Sequence, residues 1–275
     1  MKKLIVFISL TFTLLAQTVD VNKVEIENNK LNVDGTEYFI KGICYDPVPI
    51  GKTKRNFSTI DKDLLLMQEA GINTIRVYSP IDDLTILNKI DKAGIKVITS
   101  FGYNQNGYYD ILNGTYIDYI NKYKDHNAIL LWELGNEYNY HPEWFNMNID
   151  NWYLAMNNAA KKIKQIDKNH PVSTAHGEIP NKKAREMGSN IDIWGINVYR
   201  WDDPTPLIEE WEKVSDLPLY FSETGSDSYM TKDYNEFKKG INEDAQAAAN
   251  HNIIKNVFKM KDRLTRSEEH TSELQ

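Results

Sequence analysis

The sequence predicts an α/β fold: a (β/α)8 TIM barrel with seven recognisable strands, behind an N-terminal β-hairpin. Three observations carry this prediction. Ile129-Leu130-Leu131-Trp132-Glu133-Leu134-Gly135-Asn136-Glu137 and Leu217-Pro218-Leu219-Tyr220-Phe221-Ser222-Glu223-Thr224-Gly225 are apolar runs of strand length that stop on a glutamate. Runs without alternation read as strands buried on both faces, the habit of parallel sheets. Next, the boundary Ala70-Gly71-Ile72-Asn73-Thr74-Ile75 repeats as Ala93-Gly94-Ile95-Lys96-Val97-Ile98, each time a helix end, a glycine stop and a strand. Finally, 275 residues suit a single barrel of about 250.

In chain order, residues 1–17 carry two lysines, an apolar stretch and then polar residues, the layout of a secretory signal too short for a stable anchor. A secreted or periplasmic protein without stable membrane insertion is expected, and its single cysteine, Cys44, allows no internal disulfide. Val24-Glu25-Ile26 and Lys30-Leu31-Asn32-Val33 flank Asn28-Asn29, and Asp34-Gly35 turns the chain again, which is hairpin chemistry expected to close the lower end of the barrel. Strands are predicted at 39–44, 74–78, 96–101, 129–134, 172–175, 193–198 and 219–222. Helical spacing fills 59–70, 83–93, 115–124, 151–166, 181–187 and 206–214. The helix predicted at 243–260 would lead into an eighth strand, so an open edge between the first and seventh is expected. Stretches 104–113 and 138–149 are expected to form loops over the mouth. Residues 266–275 resemble a translated sequencing adapter and are expected to be a tail foreign to the fold, leaving 18–265 as the barrel domain.

Composition excludes several classes. With 41% hydrophobic and 26% charged residues the chain is an ordinary globular one, and a net charge of -7 offers no basic face for nucleic acid. No Gly-rich phosphate loop or Ser-His-Asp arrangement is evident. Thr174-Ala175-His176-Gly177-Glu178 lacks trustworthy ligand spacing, so neither a metal nor another cofactor is expected. The 16 Tyr and 6 Trp, many just after predicted strands, suit stacking on the apolar faces of sugars.

Two strand-end glutamates suggest a specific chemistry. Cleaving a glycosidic bond needs one carboxyl group to protonate the leaving oxygen and another to meet the oxocarbenium-like centre. Glu137 and Glu223 are the candidates. Their surroundings resemble known motifs: Trp132-Glu133-Leu134-Gly135-Asn136-Glu137 is similar to the fourth-strand Asn-Glu motif of the clan A retaining glycoside hydrolases. Phe221-Ser222-Glu223-Thr224-Gly225 is similar to their seventh-strand nucleophile motif. The family 2 barrel domain is the nearest pattern, with the family 5 and 17 glucanases and family 72 glucanosyltransferases as relatives. The resemblance implies that Glu137 is the acid/base, Glu223 the nucleophile and Asn136 a ligand of the sugar 2-hydroxyl. It also makes Arg76 and Tyr199 supporters of the nucleophile. His176, Trp201 and Tyr45 are further expected sugar contacts. Arg76 as a structural ion pair, Tyr199 as a core ring and His176 as loop structure stay open. Glu133, inside the apolar run, is expected to be a hydrogen-bonded structural carboxylate. A retaining β-glycosidase acting on an oligo- or polysaccharide, with β-glucan foremost, is the expected function. A β-glucan transglycosylase using the same residues, or a non-catalytic glycan-binding barrel, are the alternatives.

Overall fold

The computed structural model describes residues 23–103, 109–233 and 235–261. The expected leader at 1–17 and tail at 266–275 lie outside them. Three short strands, β1 (Val24–Glu27), β2 (Lys30–Val33) and β3 (Thr36–Glu37), form an antiparallel sheet. Seven parallel strands follow: β4 (Gly42–Cys44), β5 (Thr74–Val77), β6 (Lys96–Phe101), β7 (Ile129–Asn136), β8 (Val172–Gly177), β9 (Ile193–Asn197) and β10 (Leu219–Glu223). They neighbour one another in sequence order, the order of a (β/α) barrel. Helices α1 (Ile60–Glu69), α2 (Leu84–Lys92), α3 (Tyr116–Tyr123), α4 (Asp150–Ile166), α5 (Lys182–Met187) and α6 (Pro206–Glu212) connect them, and α7 (Glu243–Lys259) follows β10.

Local chemistry sets these boundaries. Asp83, Asn181 and Asn242 cap α2, α5 and α7 by accepting backbone N–H bonds at the first turn. Gly71 and Gly94, at φ +73° and +71°, end α1 and α2 in the left-handed conformation that a side chain disfavours. In β7 the two sides of the strand part company. Trp132 points outward, packing on Phe101 and Tyr119 and donating to Asp167 Oδ2 at 2.7 Å. Its neighbour Glu133 points into the barrel, as strand alternation requires.

The N-terminal sheet plugs the lower end. Leu31 is fully buried and, with Val24, clusters with Ile98, Leu131, Ile193 and Tyr220 from the barrel strands. Its third strand is Thr36–Glu37. Residues 39–41, expected to begin β4, are tied instead to Asn73, whose side chain donates to Phe39 O and accepts from Lys41 N. Two features went unanticipated: a pair of 3-10 turns, Tyr138–Tyr140 and Pro142–Phe145, and a small hairpin of β11 (Tyr229–Met230) with β12 (Gly240–Ile241).

Strands β4 and β10 are the two ends of the large sheet. Cys44 Sγ, 3.6 Å from Ser222 O, links them, and a cavity of about 560 Å³ opens beside this contact, reaching Ile253, Val257 and Phe258 of α7. Every residue of β4 is exposed, whereas β7 is buried along almost its whole length. No helix among the described residues is long and apolar enough to cross a membrane.

Candidate active site

Both candidate catalytic strands lose register with a neighbour as they reach the mouth. The β7–β8 ladder shifts between Leu134 and Asn136, and the β10–β9 ladder between Phe221 and Glu223. Such irregularities re-aim side chains and are frequent beside active sites. Gly135 makes the first one possible: it sits at φ +71°, and a Cβ there would lie 2.6 Å from the Trp152 ring. Glu137 follows at φ +55°, uncommon for a non-glycine residue, as the chain turns into the first 3-10 segment.

Glu223 receives three donors. Arg76 Nη1 and Tyr78 OH reach Oε1 at 2.8 and 2.9 Å, and Tyr199 OH reaches Oε2 at 2.8 Å. This is the coordination of an ionised carboxylate, which only accepts. Burial, then the Cys44 sulfur and the Glu223 carboxylate, push the Tyr78 phenol above its ordinary pKa. Burial and Glu223 do the same for Tyr199, so both rings remain protonated donors.

Arg76 is itself held from below. Its Nε lies 2.9 and 3.0 Å from the two oxygens of Glu133, which has no exposed surface. Tyr220 OH donates to Glu133 Oε2 at 2.6 Å, and Ser100 Oγ donates to Oε1. Burial opposes the charge on Arg76, but Glu133 beside it outweighs that and raises its pKa above the ordinary value. The guanidinium is therefore a fixed cation between a buried carboxylate and Glu223.

Asn136 is oriented by the same network. Its Oδ1 accepts from Arg76 Nη2 at 2.8 Å and from Asn197 Nδ2 at 3.1 Å, and Ser222 Oγ fixes Asn197 by donating to its Oδ1 at 2.6 Å. With its oxygen occupied, Asn136 offers its NH2 group as a donor. Glu137 lies one residue on and half-buried, with no side-chain hydrogen-bond partner among the described residues.

The structure thus brings Arg76, Asn136, Tyr199 and Glu223 into one hydrogen-bonded group, with Glu137 beside Asn136. The three outer residues stand differently. His176 is buried: its Nδ1 faces Gly177 O and Glu178 O, its Nε2 faces Tyr153 OH at 3.3 Å, and its ring stacks on Tyr153. Tyr45 is buried too, donating to Asp63 Oδ2 at 2.7 Å and packing near Phe57. In both, the polar atoms are engaged within the protein, so a sugar would meet at most the ring. Trp201 remains half-exposed at the mouth, at φ +56°. Tyr78 and Asn197 were not anticipated, although strand alternation supplied a signal. Tyr78 is two residues beyond Arg76 and Asn197 two before Tyr199, so each shares a face with a residue already singled out. Among the described residues, no group of three or more His, Cys, Asp or Glu could hold a metal.

No family model matches the chain. Among curated proteins it is similar to the 1,3-beta-glucanosyltransferase GAS4 of Saccharomyces cerevisiae, 24% identical over 274 residues, covering 84% of this chain and 58% of that protein. It is also similar to a 1,3-beta-glucanosyltransferase of Arthroderma benhamiae, 24% identical over 245 residues, covering 74% and 44%. The chain spans about half the length of the curated relatives it matches. Solved structures with the same fold include the GH2 beta-galacturonidase of Eisenbergiella tayi bound to galacturonate. Its TM-score is 0.66 at 19% identity, over 86% of this chain and 44% of that one. The beta-glucuronidase of Lactobacillus rhamnosus gives a TM-score of 0.67 at 17% identity, over 89% and 45%. At such identities the structural likeness shows the fold alone. The sequence relatives are glucanosyltransferases and the structural neighbours include a family 2 enzyme, so in motif, sequence and fold the chain resembles the clan A glycoside hydrolases.

Proposed function

We propose that the protein is a secreted, retaining β-glycan-active enzyme that cleaves a β-glucan by double displacement. The observation that carries this reading is the three-donor cradle around Glu223, assembled from Arg76, Tyr78 and Tyr199. A carboxylate so held is ionised, immobile and aimed, as a nucleophile must be. Asn136, its oxygen engaged, would donate to the sugar 2-hydroxyl, a bond that strengthens as the transition state forms.

In the first step Glu223 attacks the anomeric carbon. The bond to the leaving oxygen breaks and that oxygen takes a proton from Glu137. In the second step Glu137, now ionised, takes a proton from an incoming hydroxyl whose oxygen attacks the anomeric carbon, and the glycosyl ester to Glu223 breaks. Both displacements invert, so the configuration is retained. With water as acceptor the reaction is hydrolysis. Transfer to a sugar hydroxyl is the second reading, favoured by sequence relatives that are named glucanosyltransferases.

The test is a 2-deoxy-2-fluoro β-glucosyl fluoride, expected to trap an ester whose mass shift maps to the peptide carrying Glu223. Proton NMR on a β-glucan oligosaccharide is expected to show the β-anomer first. Labelling of another carboxylate, or initial α-product, would overturn the assignment.

A further inference from the structure

Next to Glu137, at the ends of β7, β8 and β9, the mouth carries a second built arrangement that the double displacement does not use. The 3-10 turn after Glu137 is clamped to the end of β8. Asn139 Nδ2 donates to Gly177 O at 3.1 Å while Gly177 N donates back to Asn139 Oδ1 at 2.9 Å. This clamp lays the Tyr140 ring directly on Gly177, where a Cβ would come within 2.1 Å of the ring. Tyr140 is 53% exposed despite that contact, so the residue is only partly given to the protein.

Next to it stands an ion pair. Glu178, directly after Gly177, sits at φ +60° and receives both terminal nitrogens of Arg200, with Nη1 2.7 Å from Oε1. Arg200 Nη1 also donates to Tyr199 O, which couples the pair to the residue that braces Glu223. The charges of Glu178, Glu137 and Arg200 all reach the Tyr140 hydroxyl, whose pKa burial and the two carboxylates raise while Arg200 opposes them. Tyr140 follows Glu137 by three residues, its N–H donating to Glu137 O at 3.0 Å, and its ring lies on Gly177, the residue before Glu178. A half-exposed ion pair contributes little to stability. A left-handed glutamate beside an open aromatic ring is a combination that packing does not require, and such conformations gather at functional sites.

We propose that Tyr140, Glu178 and Arg200 form the binding position for the sugar on the leaving-group side of the cleft. The inference rests on the proposed function, because Glu137 defines that side by protonating the leaving oxygen. Tyr140 meets the apolar C–H face of a pyranose, and the Arg200–Glu178 fork meets its rim of hydroxyls with both donors and acceptors. The same position receives the acceptor sugar when the second step is a transfer. The ligand class is a neutral hexopyranose unit of a β-glucan.

The test compares two substrates with the same donor sugar: a β-glucan oligosaccharide, whose leaving group is a sugar, and the β-glycosyl fluoride, whose leaving group needs no subsite. Tyr140→Ala is expected to lower kcat/KM for the oligosaccharide about tenfold relative to the fluoride. Arg200→Ala is expected to lower the same ratio by about 10- to 100-fold, the loss of a hydrogen bond from a charged donor. Glu178→Gln, a half-exposed and nearly isosteric change, is expected to move the ratio in the same direction while leaving the melting temperature unchanged. An unchanged ratio in all three variants overturns the subsite, as does an equal fall with both substrates. If the unaltered protein turns over neither substrate and Glu223 takes no fluoro-sugar label, the proposed function itself fails. That outcome is separate from an enzyme that is active but indifferent to Tyr140.

Discussion

The two carboxylates at the mouth occupy opposite kinds of surroundings. Glu223 ends a strand on a bed of donors, with Arg76 beneath it locked to the fully buried Glu133. Glu137 stands on a left-handed residue that opens a 3-10 turn, and its side chain has no hydrogen-bond partner among the described residues. One side of the site is rigid and charge-balanced, while on the other the turn is clamped through Asn139 but the Glu137 carboxyl itself is left unbraced. The difference follows from the work proposed for each. A nucleophile gains from being fixed in one ionised state, whereas a group that both gives and takes a proton is hindered by strong partners to either form.

Four experiments bear on this contrast. The largest effect is expected from Glu137→Gln, which should lower kcat by about 10²- to 10⁴-fold on substrates with poor leaving groups. The same variant should leave the first step with a glycosyl fluoride nearly untouched, as single-turnover kinetics would show. Equal losses on both would mean that Glu137 is not the proton donor. Glu133→Leu comes next. It removes the buried carboxylate to which Arg76 is locked, leaving Glu223 to balance the cation, and should cost about 3–5 kcal/mol of folding stability in urea titrations. A loss within experimental error would show that the rigid side does not depend on its buried anion. Tyr78→Phe and Tyr199→Phe each remove one hydrogen bond to a charged group. Each should cost about 1.5–3 kcal/mol in kcat/KM with little change in folding stability. A normal Tyr78 variant would reduce the cradle to two working donors.

The smallest effect concerns pH. Burial holds the His176 pKa below its ordinary value, against the pull of the Glu178 and Gly177 carbonyls. The unfolded chain therefore takes up a proton that the folded one refuses. Its contribution to stability is complete above about pH 6.5 and declines as the pH falls below that. Asp167 acts lower on the scale. Burial pushes its carboxyl up, yet bonds from His170, Asn169 and Trp132 win and hold it below the ordinary range. Its share is intact above about pH 4 and lost on further acidification. Urea midpoints measured from pH 7.5 to 5 should fall for the unaltered protein and stay flatter for His176→Phe. Parallel slopes would remove His176 from the account.

Much of this was legible in the sequence because the strands β7 and β10 are apolar runs and β5 and β6 follow glycine stops at Gly71 and Gly94. The order β4 to β10 follows from that pattern and the plug under the barrel from the Asn-Asn and Asp-Gly turns, while the meeting of Arg76, Tyr199 and Glu223 is what the resemblance to the clan A motifs implied. The less legible parts have a common cause. Tyr45 and His176 lie close in sequence to the mouth, but distance along the chain does not reveal which way a ring turns once a loop closes. Asp63 and Tyr153 were the partners that decided it, and both come from helices whose inner faces only the packed structure reveals. Glu133 shows the reverse case. Its place inside an apolar run pointed to a buried role, though nothing in the run named Arg76 and Tyr220 as its partners.

Gly135 has a practical consequence for anyone who redesigns this protein. A library that varies the Asn-Glu turn to change sugar preference would naturally begin with its smallest residue. Yet any side chain there drives into Trp152 and Tyr138 and forces a right-handed residue into a left-handed bend. Selection would then report folding failures and mistake them for lost specificity. Diversity is better placed at Tyr140 and Arg200, both exposed at the surface.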